Sequence, residues 1–410
     1  MMRPSLLLLM PEYRVDEQMS GIGVRALDLA SAMESHCEVT IISAQPSDLP
    51  DPPCRILPAR TTDIAAWIAA VDAVVFFDLG APEWLRCAVH ARRFIVVENA
   101  VPLEHLEYNS DLPENARADT YRRYVRGFRA QVAVADHFLT RSEIERHLLI
   151  GALALEGRLA PKDIGISRRL EHLVTNVPIG LSRKDLILSH STAPDPNLYL
   201  WTGGLWDYMA YETALDCFLG DLPGKHLRFL YRPAADQPLR AHKVLLERNL
   251  PPEHISFLNR PLPHSQRGLE IEQGAGLICL GRPGIENETS VRLRLRDTLL
   301  YRRPIIIDGN GASGEYVRKT GIGITLPELN ASALRDAIVA LEPSSRMYDA
   351  CLAAIDQERK TCKLDLTLLP FLQAGQAAGW RPTRRIGDLL VALDRALEGG
   401  PSDIPAPFLA

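Results

Sequence analysis

Short apolar runs alternate with helix-like stretches along the first half of the chain. A first run, PSLLLLM, is followed by an amphipathic stretch, VRALDLASAME, and then by a second run, CEVTIISA. Two more continuous runs, DAVVFFD at 72–78 and RFIVVEN at 93–99, are rich in β-branched and aromatic residues. Runs of this kind are typical of parallel strands covered on both faces, with the intervening helices as crossovers. A long helical region follows and ends near VTNVPIGLS.

The pattern restarts after residues 182–197, a polar segment with two prolines near its end. Such a segment is typical of a hinge between domains. Beyond it come six apolar runs, with helical segments between several of them, and each run predicts a strand: NLYLWTGG, HLRFLYRP, HISFLNR, GLICLG, RPIIIDG and GIGITL. The sequence therefore predicts an α/β protein with two Rossmann-like, doubly wound parallel-sheet domains that face a central cleft.

These patterns predict an N-terminal domain at residues 1–185 and a C-terminal domain at residues 186–375. A chain of 410 residues is also too long for one hydrophobic core. The segment 376–410 contains a terminal helix and a tail that we expect to be loose. Apolar side chains recur along one face of that helix: Ile386, Leu389, Leu390, Leu393 and Leu397. We expect this face to pack back on the N-terminal domain.

Composition narrows the classes of function. The formal net charge is −5, so no basic field marks a nucleic-acid partner. The apolar run Leu6–Met10 is shorter than the ~7–15 residues of a signal peptide core, and no run approaches the ~18 residues of a membrane span. We therefore expect a cytoplasmic protein with at most peripheral membrane contact. The seven cysteines form no Cys-x-x-Cys pair, which predicts reduced thiols and no metal site.

A glycine pair lies at the predicted N-terminus of the first helix, in SGIGVRA. The letters Gly21-x-Gly23-x-x-Ala26 match the dinucleotide fingerprint. The first strand, however, ends near Met10, and no acidic residue closes the second strand, so a dinucleotide site is not favoured. Exposed N–H groups of Gly21, Ile22 and Gly23, together with the helix dipole, still predict an anion here. The alternative is that the glycines only shape a turn.

A second glycine pair, Gly203 and Gly204, directly follows the first predicted strand of the second half, and Trp206 comes just after it. Glycine lets the backbone approach a ligand closely. A glycine turn after the first strand of each half is what we expect of a protein that holds a pyrophosphate from two sides. Trp206 could also be an aromatic residue of the core or rim.

Residues 284–307, GIENETSVRLRLRDTLLYRRPIII, bring many charges between two predicted strands. We predict a crossover helix at about 290–302, with Thr289 or Ser290 as its N-cap. At about 100° per residue, one polar stripe contains four side chains: Ser290, Arg294, Asp297 and Tyr301. Arg292 and Arg296 share a further face.

Burying such charges is costly unless something binds them, so we interpret the stripe as a ligand-binding face. The alternatives are a structural Arg294–Asp297 pair and a merely solvated stripe. Glu286 and Glu288 precede the predicted helix in the loop that leaves a strand's carboxyl end. A carboxylate there can accept hydrogen bonds from sugar hydroxyls, and Asp297 can do the same for a ribose.

On these segments the chain resembles bacterial glycosyltransferases of family 4, the retaining group with the two-Rossmann GT-B architecture. The resemblance covers nearly the whole chain and is closest to the subgroup found in surface-polysaccharide and natural-product clusters. It depends on five segments: SGIGVRALDLA, RSEIERHLLIGALALEGRLAP, TNVPIGL, YLWTGGLWDY, and ENETSVRLRLRD with RRPIII.

The resemblance implies roles for the carboxylates. In the family, one of two spaced glutamates contacts the donor sugar and the other contacts the nucleotide ribose. Counting back from Pro304, the second glutamate corresponds to Asp297. The first would correspond to Thr289, so the match fails there, and Glu286 or Glu288 must take its part.

The phosphate-binding residues depart from the family pattern. The usual arginine position, soon after the glycine turn, holds Trp-Asp-Tyr here. On chemical grounds Arg232, Arg292 and Arg294 become substitutes. Contacts to the nucleotide base are expected around Asn259-Arg260-Pro261, which makes Arg260 a further candidate for donor binding.

The resemblance also implies the reaction. A sugar would move from a nucleotide-diphosphate donor to a glycan, lipid-linked or small-molecule acceptor, with retention and without a metal ion or a cofactor other than the co-substrate. Candidates for the acceptor side or for a general base lie where strands end, namely Asp78, Glu98 and His105, and each could instead be a loop residue with no chemical part. The alternatives are a nucleotide-sugar epimerase and an inactive GT-B protein that binds a sugar nucleotide or a partner.

Overall fold

The computed structural model describes residues 3–98, 114–187, 193–206, 208–220, 222–230, 250–258 and 262–398. The chain divides into two compact units. The first unit comprises Met1–Pro178 and Leu364–Ala410, and the second unit comprises Ile179–Lys363. Both boundaries come before the predicted ones at 185 and 375. The return at Leu364 has a physical reason, because Leu364, Leu368 and Phe371 are fully buried in the core of the first unit.

Parallel strands form the sheet of the first unit. Its strands are β1 (Ser5–Met10), β2 (Glu38–Ser43), β3 (Arg55–Pro58), β4 (Ala73–Phe77), β5 (Phe94–Glu98), β6 (His137–Thr140) and β7 (Val174–Asn176). Their order among the described residues is β3-β2-β1-β4-β5-β6-β7. Leu7 and Leu9 of β1 pack into one hydrophobic cluster, and Leu6 and Leu8 pack into a second one. Successive side chains point to opposite faces of a sheet, so both faces are covered, as the continuous apolar runs predict.

The second unit contains a parallel sheet of its own. Its strands are β8 (Asp195–Trp201), β9 (His226–Phe229), β10 (Ile255–Phe257), β11 (Gly274–Cys279), β12 (Ile305–Asp308) and β13 (Gly323–Leu326). Their order among the described residues is β10-β9-β8-β11-β12-β13. All six strands predicted for the second half are therefore confirmed. Two clusters again cover the sheet, with Tyr199 and Trp201 of β8 in one and Leu198 and Leu200 in the other.

Helices connect the strands in both units. They are α1 (Gly21–Met33), α2 (Ile64–Ala70), α3 (Pro82–His90), α4 (Glu114–Val134), α5 (Glu143–Leu155), α6 (Pro161–Ile166), α7 (Arg183–Leu186), α8 (Tyr211–Gly220), α9 (Arg267–Ile271), α10 (Ile285–Thr289), α11 (Arg294–Tyr301), α12 (Gly311–Thr320), α13 (Ala331–Ala340), α14 (Arg346–Thr361), α15 (Leu364–Thr367), α16 (Leu369–Ala377) and α17 (Ile386–Glu398). None of the described helices combines the length and hydrophobicity that crossing a membrane requires.

The terminal helix α17 belongs to the first unit. Leu389 and Leu393 are fully buried in one of its hydrophobic clusters. An ion pair of 2.6 Å joins Arg86 Nη2 of α3 to Asp394 Oδ1 of α17. The apolar stripe in the sequence therefore packs as its periodicity indicates.

Candidate functional site

Arg294 contacts the main chain of the turn that follows β8. Arg294 Nη2 donates a hydrogen bond of 2.7 Å to the carbonyl of Gly204. The same guanidinium lies over the ring of Trp201, with 5.2 Å from Cζ to the ring centroid. A Cβ atom at Gly203 would overlap that guanidinium. Residue 203 must therefore be glycine for Arg294 to lie against the main chain, and the arginine positions the turn.

Asp297 lies on the same face of α11 as Arg294 and forms an ion pair with a residue that the sequence did not single out. Arg267 Nη2, at the start of α9, donates to Asp297 Oδ2 at 2.7 Å and also to the carbonyl of Thr202. A Cβ atom at Gly268 would lie 2.8 Å from Tyr301 Cε1. Glycine at 268 therefore lets α9 approach α11. Burial and the charge of Asp297 raise the pKa of the Tyr301 phenol to about 12, so it stays protonated.

The predicted crossover helix is wrong in its extent. Instead of one helix over 290–302, the chain forms α10, a non-helical connection at 290–293, and then α11. Ser290 has φ −82° and ψ 141° and ends α10, so neither it nor Thr289 is the N-cap of a long helix. The reason is local, because the N–H of Arg292 donates to Ser313 Oγ at 2.9 Å and not to a helical carbonyl. Ser290 consequently leaves the predicted stripe.

Arg292 is enclosed in a polar network. Its Nη1 donates to Asp308 Oδ1 at 2.8 Å, and its Nη2 donates to Asn287 Oδ1. Asp308 also accepts from the Gly281 N–H at 2.6 Å and from Asn287 Nδ2 at 2.7 Å. Burial opposes the charge, but Cys279 and Asp308 outweigh burial and raise the pKa of Arg292 above its ordinary value. The guanidinium thus ties the ends of β11 and β12 to α10.

The other predicted residues of this segment differ in accessibility. Arg296 Nη2 lies 3.2 Å from Asp185 Oδ1 of α7 and is buried. Ser290 Oγ donates to Glu286 Oε2 at 3.0 Å, and both residues are buried. Glu288 is exposed. Among these carboxylates, Glu288 is therefore the one that solvent reaches most readily.

Both alternative interpretations of the stripe are wrong. Arg294 and Asp297 are buried, with 8% and 6% of their surface exposed, so the stripe is not solvated. They also form no pair with each other, because Arg294 bonds to Gly204 and Asp297 bonds to Arg267. What the structure brings together after β8 is the glycine turn, Arg294, Asp297 and Arg267. We call this group the donor-edge cluster.

In the first unit, α1 begins at Gly21 with no side-chain cap from Ser20 and no acidic residue in its first turn. Gly21 is exposed and Ile22 is half-buried. Gly23 is buried, and a Cβ atom there would overlap the carbonyl of Arg14 and lie 2.8 Å from Met19 Cβ. Gly23 is thus required by packing, while the N–H groups of the first turn keep the polarity that suits an anion.

Glu98 and Asp78 stand where β5 and β4 end. Glu98 Oε1 accepts from Arg25 Nε at 2.9 Å, and the Arg25 terminal nitrogens donate to the carbonyls of Val177 and Pro178. Asp78 has φ 58°, a left-handed conformation that is uncommon outside glycine. Its Oδ2 accepts from Tyr13 Oη at 2.6 Å. Asp78 and Glu98 are neighbours through their main chains, since Asp78 N donates to the Glu98 carbonyl at 2.9 Å.

Three predicted residues, His105, Arg232 and Arg260, lie outside the described residues. Trp206 is 38% exposed. A Cβ atom at Gly204 would lie 2.9 Å from Trp206 Nε1, so the indole lies against the turn and not in the core.

A cavity of about 590 Å³ opens beside the start of β2, away from the carboxyl ends of the strands, and is lined in part by Arg3, Cys37 and Cys54. Burial raises the pKa of both thiols to about 12, so neither is a thiolate at neutral pH. We therefore do not place the candidate site there.

Sequence reasoning missed Arg267, Arg25 and Tyr13. Arg267 stands in a stretch, PHSQRGLEI, that carries no motif. The signal beside it is Gly268, a glycine in the connection between the predicted strands HISFLNR and GLICLG, where a glycine can mark a close approach of another element. Arg25 follows the first glycine pair within SGIGVRALDLA, where an arginine on an otherwise apolar helix could have indicated a buried partner.

No family model and no curated protein sequence matches the chain. Solved structures do resemble it. Anabaena HepE in complex with UDP has a TM-score of 0.62 at 11% identity and covers 92% of this chain and 100% of its own. Sucrose-phosphate synthase from Thermosynechococcus elongatus has a TM-score of 0.60 at 12% identity, with 92% and 99% covered. WaaG, a glycosyltransferase involved in lipopolysaccharide biosynthesis, has a TM-score of 0.57 at 14% identity, with 91% and 100% covered.

At these identities the likeness establishes the fold. The predicted fold class is confirmed, since the chain has the two Rossmann-like parallel-sheet domains of the GT-B fold.

Proposed function

We propose that this chain is a glycosyltransferase that moves a sugar from a nucleotide-diphosphate donor to an acceptor with retention at the anomeric carbon. The observation that carries the proposal is the donor-edge cluster, where a glycine turn, two guanidinium groups and a carboxylate lie within hydrogen-bond contact at the end of β8. Ligands of open parallel sheets bind outside the carboxyl ends of the strands. The fold likeness to HepE in complex with UDP supports the same class of ligand.

Each part of the cluster has a role in this proposal. Asp297 accepts hydrogen bonds from the ribose, and Glu288 or Glu286 accepts them from the donor sugar. The main chain at Gly203 and Gly204 approaches the diphosphate. The positive charges of Arg294 and Arg267 lie beside this turn and stabilise the charge of the leaving nucleotide without the need for direct contact. Because protein groups can supply this stabilisation, we propose that the reaction needs no metal ion and no further cofactor.

The acceptor side belongs to the first unit in this proposal. Asp78 is its strongest candidate, since strained backbone conformations cluster at functional sites and a hydrogen bond from Tyr13 orients the carboxylate. The N–H groups at Gly21–Gly23, at the start of α1, are the candidates of this unit for binding an anion. Glu98 and His105 remain further candidates. A glycan, a lipid-linked sugar or a small molecule is the acceptor, and nucleic acid is not a partner.

The test is a turnover assay with a panel of UDP-, GDP- and dTDP-sugars, run with and without a metal chelator. We expect nucleotide release with at least one donor, undiminished by the chelator, and an anomeric configuration that NMR shows to be retained in the product. Asp297→Asn should abolish most of the release, whereas Asp394→Asn, at an exposed pair of the first unit, should not.

The assay also separates the alternatives. Binding of a sugar nucleotide without release would support an inactive GT-B protein, and reversible interconversion of the sugar would support an epimerase. Loss of activity in the chelator would overturn the metal-independent mechanism.

A further inference from the structure

One nitrogen of Arg267 joins two acceptors in the donor-edge cluster. Its Nη2 donates to Asp297 Oδ2 at 2.7 Å and to the carbonyl of Thr202. A terminal guanidinium nitrogen carries two hydrogens, so these two bonds use both. Without that nitrogen, a carboxylate oxygen and a carbonyl oxygen would face each other and repel. Arg267 therefore couples the first turn of α11 to the end of β8.

The remaining polar atoms of this pair are unused within the part of the chain that the structure describes. Asp297 Oδ1 accepts no hydrogen bond there, and neither Nε nor Nη1 of Arg267 donates one. The exposed fraction of the side chain is 26% for Arg267 and 9% for Asp297. The pair is thus bonded through Arg267 Nη2 and Asp297 Oδ2, whereas its other polar atoms have no partner among the described residues.

The position of Arg267 is fixed by packing. Gly268 lets α9 lie against Tyr301, because any Cβ there would lie 2.8 Å from the ring. Tyr301 is one turn beyond Asp297 on α11, so the contact that holds α9 also sets the distance from the guanidinium to the carboxylate. A carboxylate anchored through one oxygen has a defined direction for its second oxygen.

We propose that Arg267 is a positioning residue for nucleotide binding: by holding Oδ2 of Asp297, it presents Oδ1 to the ribose hydroxyls of a nucleoside diphosphate. This inference rests on the proposed function and adds the residue that makes the ribose contact selective. Arg267 need not touch the ligand. Its removal leaves the carboxylate without a counter-charge and without a fixed orientation.

The test measures selectivity for the ribose by calorimetry. UDP is compared with 2′,3′-dideoxyuridine diphosphate, and GDP with its dideoxy form. The parent protein should bind either UDP or GDP at least about tenfold more tightly than the matching dideoxy nucleotide, as expected for a hydrogen bond to a charged group. We call the quotient of these two affinities the ribose ratio. In Arg267→Ala the ribose ratio should fall to about threefold or less, mainly through weaker binding of the ribose form. Arg267→Gln keeps an amide donor and should retain part of the ribose ratio.

The controls distinguish positioning from general damage. Arg228→Ala removes a similarly exposed arginine that pairs with Glu270 Oε2 of α9 at 3.3 Å, and it should leave the ribose ratio unchanged. Asp297→Asn should lower the ribose ratio as Arg267→Ala does, and the double variant should lose no more than either single one. If Arg267→Ala does not fold, Arg267→Gln decides the question.

Two failures are distinguishable. A parent protein that binds none of these nucleotides, and that releases no nucleotide from any sugar of the donor panel, defeats the proposed function and this inference with it. A parent protein that prefers ribose, together with folded Arg267→Ala and Arg267→Gln proteins that keep the full preference, overturns the role of Arg267 alone.

Discussion

Each unit carries an arginine–carboxylate pair where strands end. In both pairs one carboxylate oxygen has no partner among the described residues, and the pairs differ in how many arginine nitrogens are bonded and in how exposed the side chains are. In the first unit, Arg25 and Glu98 are 2.9 Å apart, with side chains 6% and 1% exposed. In the second unit, Arg267 and Asp297 are 2.7 Å apart, with side chains 26% and 9% exposed. Arg25 uses its Nε, Nη1 and Nη2 on protein acceptors. Arg267 uses Nη2 alone among the described contacts.

The difference separates two uses of the same chemistry. A buried arginine whose nitrogens all donate to protein acceptors stabilises the folded structure, because any rearrangement would leave a buried charge without its partner. An arginine that is bonded on one side and accessible on the other can organise a ligand site. On this comparison, the Arg25–Glu98 pair anchors α1 to the end of β5 and to the main chain at 177–178, and the Arg267–Asp297 pair orients a binding carboxylate.

The largest effect is expected for Glu98→Ala. This change leaves the buried Arg25 without its counter-charge, so the first unit should lose about 3–5 kcal/mol of stability. Urea unfolding of the full chain measures the loss. Asp394→Ala, at the exposed ion pair with Arg86, should cost less than about 1 kcal/mol. A Glu98→Ala protein of unchanged stability that transfers no sugar would break the comparison, since Glu98 would then act on substrate.

The second-largest effect is the pH dependence of the stability of the first unit. Burial lowers the pKa of His137 to about 4, and its ring bonds to the His172 carbonyl and to Thr175 Oγ1. The neutral ring is therefore the folded form. The stability it contributes is complete above the ordinary value of 6.5, and it declines as the pH falls towards 4, because the unfolded chain then binds the extra proton.

Between pH 6.5 and pH 4 the free energy of unfolding should fall by about 3 kcal/mol because of this group. His137→Gln should flatten this decline, and His90→Gln, at an exposed position, should not. Nucleotide affinity of the second unit should not follow the same curve. If His137→Gln unfolds with the parent's pH dependence, the buried ring is not the group responsible.

A smaller effect is expected for Gly203→Ala. The added Cβ would overlap Arg294 and displace it from Trp201 and the Gly204 carbonyl. We expect a stability loss of about 1–3 kcal/mol and a fall in nucleotide affinity of about tenfold. Gly220→Ala is the matched control, because a Cβ there meets nothing within 4 Å. Equal affinities in the two variants would mean that Arg294 does not shape the turn for a ligand.

The sequence predicts the sheets well where strands are long and apolar. GLICLG and RPIIIDG become β11 and β12 because both faces of a parallel strand are covered, which leaves a continuous signal. Strands β6 and β7 have four and three residues and fall within or beside the predicted helical region. So short a segment carries no periodicity, and its pairing with a neighbouring strand decides its conformation.

The candidate site is predicted less completely because its contacts are not local. Helical periodicity puts Arg294 and Asp297 on one face, and they remain there. Periodicity cannot show that Arg292 bonds to Asp308 and Ser313. Because of these bonds α11 begins only at Arg294 and does not include Ser290. Nor can spacing indicate Arg267, whose partner is thirty positions away in the chain.

The smallest expected effect distinguishes Glu286 from Glu288, the two candidates for contact with the donor sugar. Glu286 is buried and accepts from Ser290, whereas Glu288 is exposed. We expect Glu288→Gln to leave stability within about 0.5 kcal/mol and to weaken binding of a sugar nucleotide by about 1 kcal/mol, roughly fivefold.

Binding of the free nucleotide should not change in Glu288→Gln, because only the sugar contact is lost. Calorimetry with a UDP-sugar and with UDP measures both affinities. Glu286→Gln is the matched control and should lower stability more than sugar affinity, since it weakens a buried contact. If Glu286→Gln selectively weakens binding of the sugar nucleotide and Glu288→Gln does not, then the buried carboxylate, and not the exposed one, binds the donor sugar.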